Sequence, residues 1–459
     1  MTRLGPAAPG QLPEGLGLFG RRVGYTLARQ SATVLVSLGL VLFLARSLGS
    51  EGAGAYSVSL LLPTFLAIAC SLGIPSANVF LVGRRRFPTR RVVRDNLRLW
   101  AVLSVVGLVL GVALVAWLHD WLFPGVAVPL LWLALATFPV TLLQLQLLGI
   151  LHGVQDFAGL NLSTALIPVV GLVAALILVG GLGGGVGAAL LAYGAAQVAG
   201  AAAATRYVRR HLADRGLASS APTTPFWRQA VDYGWRANVG NLVALLNYRI
   251  DLLGLNMLLG ASAAGVYAVA VQFVEKLWLI AGSVSTVLLP RIAELEGDEA
   301  ARLRLTPLLA RWSLLVTLVA AVALGLVAPW LAEPFGPEFA ELPVVLLCLL
   351  PGAVVLAHAK VLANDLAGRG RPGLNALTAL LATLVEVGGL VILVPRLGTA
   401  GAGVASSVAY GAQFAVSLHL YGRVSGSGAR AILRPSSDDR RLIQHAVRTV
   451  LRRFPPPAR

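Results

Sequence analysis

The sequence predicts an all-α, multi-pass membrane protein of about twelve transmembrane helices, arranged as two parallel six-helix repeats. Three observations predict it. The 459 residues are 57% hydrophobic and only 12% charged, with a mean hydropathy of +0.79, about half the charge of a soluble domain. Apolar runs of about 20 residues, long enough to cross a bilayer, recur along almost the whole chain. Short motifs also return, in the same order, in the second half. The composition alone excludes a water-soluble enzyme.

The spans follow in order, most of them separated by Gly or Pro. The first, Val23–Leu48, starts directly after Arg21 and Arg22, with no short apolar core and cleavage site to mark a removable signal. Ala55–Ile74, Leu99–Leu118, Val128–Leu151, Leu160–Gly181 and Val186–Tyr207 complete the first half. A Ser/Thr/Pro-rich stretch over 209–231 reads as a linker. Gly234–Leu259, Gly265–Leu289, Leu308–Leu331, Leu342–Leu366, Gly373–Val394 and Gly403–Tyr421 form the second half. The expected domains are therefore a tail (1–22), an N-lobe (23–208), the linker (209–231), a C-lobe (232–422) and a second tail (423–459). In that tail Leu442, Ile443, Ala446, Val447, Val450, Leu451 and Phe454 form one helical stripe backed by arginines, the pattern of a helix lying on a membrane surface.

Charge sets the expected orientation. One set of connections, including both tails, holds 29 arginines, against Arg46 and Arg396 on the other side. The positive-inside rule places both termini in the cytoplasm. The net charge of +17 then serves contact with anionic lipid, and nucleic acid is not an expected partner.

The repeat is visible without any alignment. Leu48 to Val58 and Leu259 to Val269 share the form L-G-x3-A-G-x-Y-x-V at an offset of 211. Gly159-Leu160-Asn161 returns as Gly373-Leu374-Asn375, offset 214, and Ala192-Tyr193-Gly194 as Ala409-Tyr410-Gly411, offset 217. Six spans per half put both halves in the same sense, and transporters of that build bind substrate between the halves.

Six cations lie within spans: Arg29, Arg236, Arg249, Arg311, Lys276 and Lys360. Such groups cost several kcal/mol unless they face protein or a wet cavity. Lys276 falls about 16 Å deep, near the midplane, and Arg29 about 10 Å above Arg22. On a helical wheel of span seven, Asn238, Asn241, Arg249 and Asn256 share one face, while Arg236, Asn247 and Asp251 fall nearly opposite. One face lines a cavity and the other packs, but periodicity leaves open which. Asp251, Glu275 and Glu386 are the acids well inside spans. They either bridge the cations statically or carry a coupling ion. The positive surplus suits an anionic substrate, because Arg offers fork-like donors to phosphate oxygens.

Other motifs are weaker. Gly181 to Gly187 is glycine-rich but joins two spans, so it is not a phosphate cradle. The six histidines lack metal-ligand spacing, Cys70 and Cys348 read as small buried hydrophobes, and neither metal nor cofactor is expected. Glu51, Asp120, Glu333, Glu338 and Glu341 are scattered over short connections, which argues against a glycan polymerase or ligase and against enzymatic activity.

The segments Leu44–Tyr56, Ser71–Ala77, Gly149–Asn161 and Arg249–Val269 resemble the polysaccharide-repeat-unit flippases of the multidrug/oligosaccharidyl-lipid/polysaccharide exporter superfamily. The resemblance covers nearly all of Val23 to Tyr421. It implies a V-shaped, two-lobe transporter of the bacterial cytoplasmic membrane. Such a protein moves an undecaprenyl-diphosphate-linked oligosaccharide to the periplasmic leaflet by alternating access, with membrane lipids around it and H+ or Na+ as the coupling ion. Arg29, Arg249, Lys276 and Lys360, with Asn241, are then the expected substrate contacts, and Glu386, Asp251 and Glu275 the expected coupling residues. Lipid II flippases usually have two further C-terminal spans, and multidrug cation exporters place a carboxylate in span one, where this chain has Arg29.

Overall fold

The computed structural model describes residues 15–84, 87–212, 224–294, 299–371, 373–426 and 432, with side chains from 32 onward except 280, 281, 283–287, 289–291, 293, 294, 300 and 301. The surface helix expected in the C-terminal tail, most of the expected linker and the side chain of Arg29 lie outside these described residues. Among them every element is helical. In chain order these are α1 (Gly15–Ser59), α2 (Leu61–Cys70), α3 (Ile74–Gly83), α4 (Thr89–Leu122), α5 (Val128–Ala136), α6 (Phe138–Gly153), α7 (Phe157–Ala175, continued by a π turn to Gly181) and α8 (Val186–Arg210). The second half has α9 (Phe226–Leu259), α10 (Ala261–Glu294), α11 (Glu299–Leu331), α12 (Leu342–Gly368) and α13 (Gly373–Ser425), with two 3-10 turns between α11 and α12.

Nine helical segments among the described residues are long and apolar enough to span a membrane. Two of them are too long for one crossing. Ala32–Cys70 has 39 residues and Gly373–Ser425 has 53, about 58 Å and 80 Å of helix against a hydrocarbon core of about 30 Å. Each contains a glycine with non-helical geometry: Gly49 (φ 69°, ψ −178°) and Gly398 (φ 61°, ψ −142°). At Gly398 the chain doubles back, since the Ser406 hydroxyl lies 2.7 Å from the Glu386 carboxyl, twenty residues away. With α10, which carries Glu275 and Lys276, the helices are consistent with twelve crossings.

Two spans differ from the expected continuous helices. Span two is divided into the end of α1, α2, and a turn at Leu72 (φ 48°) and Gly73 (φ 68°) that precedes α3. The turn packs directly on α9. A Cβ on Gly73 would stand 2.0 Å from the Gly234 carbonyl oxygen, and one on Gly234 only 2.5 Å from that of Leu72. Only glycine on both sides permits this approach. Span four breaks at Thr137, between α5 and α6, where Pro139 removes a helical donor.

The connections sort into two ends. At the arginine-rich end, Phe80 stacks on Tyr233 at 4.4 Å and Phe87 meets Phe226 edge-on at 5.4 Å, joining α3 and the segment before α4 to α9. At the other end, Asn256 donates to the Pro124 carbonyl at 3.2 Å and Arg46 to that of Pro334 at 3.1 Å. On α4, exposed Arg98 and exposed Trp117 are nineteen residues apart, about 29 Å, as a helix anchored at both interfaces requires.

A buried ionic cluster braces the second half at the arginine-rich end. Asp365 is fully buried and accepts from Thr306 at 2.5 Å and from Arg369, which also reaches Glu299 at 2.6 Å. Removing Arg369 leaves the Asp365 carboxylate without its counter-charge. Arg369→Ala is expected to destabilise the protein by about 3–5 kcal/mol, read as a clear fall in the thermal unfolding temperature in detergent. An unchanged midpoint would mean the cluster contributes nothing.

Candidate functional site

A cavity of about 470 Å³ lies between the two halves. The first half supplies most of its wall, from α1, α2, α7 and α8, and it is apolar apart from hydroxyls such as those of Ser37, Tyr56, Ser57 and Tyr193. The second half supplies Arg249 and Asp251 from α9, and Tyr267 and Gln272 from α10. Among the residues that line it, Arg249 alone carries a positive charge.

The structure settles which face of span seven turns toward the first half. Asn238 meets the Ser71 hydroxyl at 3.2 Å and donates to the Ala69 carbonyl at 3.3 Å, Arg249 borders the cavity, and Asn256 donates to Pro124. The opposite face bonds within its own half: Asn247 donates to Gln413 at 3.0 Å, and Asp251, which still reaches the cavity, accepts from Tyr267 at 2.6 Å. Asn241 shares the wheel sector of Arg249, yet it is exposed and is not part of the cavity wall.

Three of the expected cations converge. Arg249 pairs with Glu275 of α10 at 2.9 Å, with both side chains mostly buried. Lys276 donates to Gln272 at 3.3 Å, one turn from the cavity edge. Lys360 lies over the rings of Tyr248 and Trp278, 4.9 Å and 4.2 Å from their centroids, so aromatic faces hold its charge. Three cations thus stand against Glu275 and, two residues from Arg249, Asp251, a surplus of one positive charge. Lys276 and Lys360 stand behind the wall, and Arg249 is the member that reaches the cavity.

The other two expected acids form a separate chain of contacts. Asp251 touches the Tyr267 hydroxyl at 2.6 Å, Tyr267 touches the Ser406 hydroxyl at 2.8 Å, and Ser406 touches Glu386 at 2.7 Å. All four residues are buried, and Glu386 Oε2 has no hydrogen-bond partner among the described residues. These three oxygen–oxygen contacts need three protons, and two hydroxyls supply only two, with the Ala402 carbonyl, 3.0 Å from the Ser406 hydroxyl, as a further acceptor. The chain is satisfied when Glu386 carries the third and donates to Ser406, which donates to Tyr267, which donates to Asp251. Two carboxylates thereby share one proton through two hydroxyls. Among the described residues neither forms an ion pair with a lysine or arginine, although Arg249 lies within electrostatic reach of Asp251.

The signature of the family described as polysaccharide biosynthesis protein matches residues 19–296, more than half of the sequence. The chain belongs to that family. A 109-residue segment is 35% identical to the uncharacterized membrane protein EpsK of Bacillus subtilis (strain 168), a match spanning 23% of this chain and 22% of that protein. Among solved structures, an inward-facing multidrug resistance MATE family transporter of the MOP superfamily superposes with a TM-score of 0.70 at 18% identity, covering 86% of this chain and 94% of the other. The lipid II flippase MurJ, in its inward closed conformation, gives 0.71 at 13% identity, covering 92% and 96%. These likenesses show the fold. The polysaccharide biosynthesis family member described here has the membrane-transporter architecture that its spans and repeat predict.

Within this family member, the site residues missed in the sequence are chiefly tyrosines. Tyr56, Tyr193 and Tyr267 line the cavity, and Tyr410 packs edge-on against Trp278 at 5.9 Å. The signal was present: Tyr56 pairs with Tyr267, and Tyr193 with Tyr410, as equivalent positions of the repeated motifs.

Proposed function

We propose that this protein is a flippase that carries an undecaprenyl-diphosphate-linked oligosaccharide from the cytoplasmic to the periplasmic leaflet. The two halves, 23–208 and 232–422, are proposed to rock against each other as rigid lobes. The observation that supports the reading is the Arg249 guanidinium, the one cation among the described residues on the wall of the inter-half cavity, with Asp251 the one acid beside it and Lys276 and Lys360 behind it. A diphosphate supplies the complementary charge, and guanidinium forks match its oxygens. A volume of about 470 Å³ suits one small ligand. It fits the diphosphate and adjoining sugar, with the rest of the glycan accommodated as the halves move apart. The proton shared by Asp251 and Glu386 supports H+ as the coupling ion, since its carriers change environment when the helices around them move. Glu275, held by Arg249, acts in this reading as the counter-charge that the substrate displaces.

The test is translocation in proteoliposomes of polyprenyl lipids bearing the same short glycan on a diphosphate, a monophosphate or an uncharged linkage, with a cationic dye as a fourth cargo. The diphosphate lipid is expected to cross fastest. Equal rates for the charged and uncharged linkages, or preference for the dye, would refute the assignment.

The orientation is tested separately. The arginine-rich end is proposed to face the cytoplasm. Cysteines at Gly185 and Ala340, both exposed at the arginine-poor end, should label with an impermeant maleimide in intact cells. A cysteine at exposed Arg90 should label only after permeabilisation, and the reverse pattern would invert the topology.

A further inference from the structure

The repeated motif L-G-x3-A-G-x-Y-x-V has a role that the cavity does not explain. Its two copies meet face to face at the arginine-poor end, across the boundary between the halves. Gly49 and Gly260 open the two copies with the same backbone geometry, φ 69° and ψ −178° against φ 86° and ψ −177°. A Cβ on Gly54 would stand 1.7 Å from the Ala261 carbonyl oxygen, and one on Gly265 would stand 1.9 Å from that of Ser50. Ser50 corresponds to Ala261, and Gly54 to Gly265, at the repeat offset. The contact is therefore reciprocal, like the self-complementary interface of a two-fold dimer. Backbones touch with no side chain between them.

One polar chain fastens this contact. The Ser50 and Ser262 hydroxyls are 2.7 Å apart, and Glu338 accepts from the Ser50 N–H at 2.7 Å and from its hydroxyl at 3.1 Å. Here two hydroxyl protons serve two oxygen–oxygen contacts, so Ser262 donates to Ser50, Ser50 donates to Glu338, and the chain closes on an ionised carboxylate. Glu338 belongs to the connection between α11 and α12, whose Phe335 and Phe339 are buried beneath it. The connection is thus a strap from the second half laid over the glycine break of α1.

We infer that the two motif copies form the outer gate of the transport path and that Glu338 is its latch, holding the gate shut in the state described. Gly54 and Gly265 make the seal thin at its centre, where backbone meets backbone. The latch is strongest with Glu338 ionised. The Ser50 N–H and hydroxyl hold its carboxyl below the usual carboxylate range, so the closed gate keeps this contact at neutral pH and loses it as pH falls through that lowered value.

The experiment uses the full-length protein with Cys70 and Cys348, its free cysteines, changed to Ala. The pair Ser50→Cys and Ser262→Cys should cross-link on mild oxidation, stop translocation, and recover with a reductant, while each single variant transports throughout. Failure to cross-link, or undiminished translocation by the cross-linked protein, would overturn the gate. In a second arm, Ser57→Cys on the cavity wall is labelled with an impermeant maleimide from the side of the arginine-poor end, taken as external on the orientation proposed above. Adding Glu338→Ala, an exposed site whose change spares the fold, should raise the labelling rate roughly fivefold or more by releasing two hydrogen bonds to a charged acceptor. An unchanged rate would overturn the latch. This arm needs no substrate, so it stands whatever the cargo proves to be.

Discussion

Arg249→Ala is expected to cut translocation roughly ten- to hundredfold while the protein still inserts in the membrane. A charge-assisted hydrogen bond to phosphate is worth about 1.5–3 kcal/mol, and no other cation among the described residues lines the cavity. The substitution also leaves Glu275 without its 2.9 Å partner, so a loss of activity could arise from a misfolded second half. The double variant Arg249→Ala with Glu275→Gln separates the two causes. It removes the orphaned carboxylate, so thermal stability should return toward the parent value while translocation stays low. Arg249→Lys keeps the charge and loses the fork, and should fall between the two. Recovery of transport in the double variant would mean that Arg249 serves only to neutralise Glu275.

How much of this was legible in the sequence depends on the physics each feature rests on. The spans were legible because every crossing needs about 20 apolar residues, whatever it packs against. Positions such as Gly49 and Gly260 were legible as a repeat, but their mutual contact was not, because it depends on how the halves dock. The cations were visible for a similar reason: a charge in an apolar run stands out, while its partner does not. Lys276 is the sequence neighbour of Glu275, yet the ion pair goes to Arg249 on another helix, fixed by the relative height of α9 and α10. Asn241 shows the same limit from the other side. A helical wheel gives its direction, and says nothing of the level at which the first half makes contact. Tyr267 carried only the signal of its place in the repeated motif and Ser406 none, since a hydroxyl inside an apolar helix is unremarkable until its carboxylate neighbour is known.

The largest effect on energy coupling is expected at Glu386. In the chain of contacts from Glu386 to Asp251, the shared proton is the component that can leave, and its departure leaves one oxygen–oxygen contact without a hydrogen. Arg249 and Glu275 lie nearby on α9 and α10, and Tyr410 of α13 is within electrostatic reach of both carboxylates. None of them donates a hydrogen bond to either acid in the structure. Glu386→Gln places an amide N–H where the protonated carboxyl donates to Ser406, so the chain stays satisfied with nothing left to release. The variant should therefore fold and still exchange substrate between leaflets, but lose the acceleration that a proton gradient gives the parent. Tyr267→Phe should lose it too, for a different reason, because it cuts the path between the two acids while leaving both carboxyls in place. That second variant distinguishes a shared proton from a merely structural glutamate, which would not depend on a hydroxyl two contacts away. Initial rates in proteoliposomes with and without an imposed gradient decide the matter. A parent-like gradient response in both variants would make Glu386 and Asp251 packing partners and place the coupling group elsewhere in the chain.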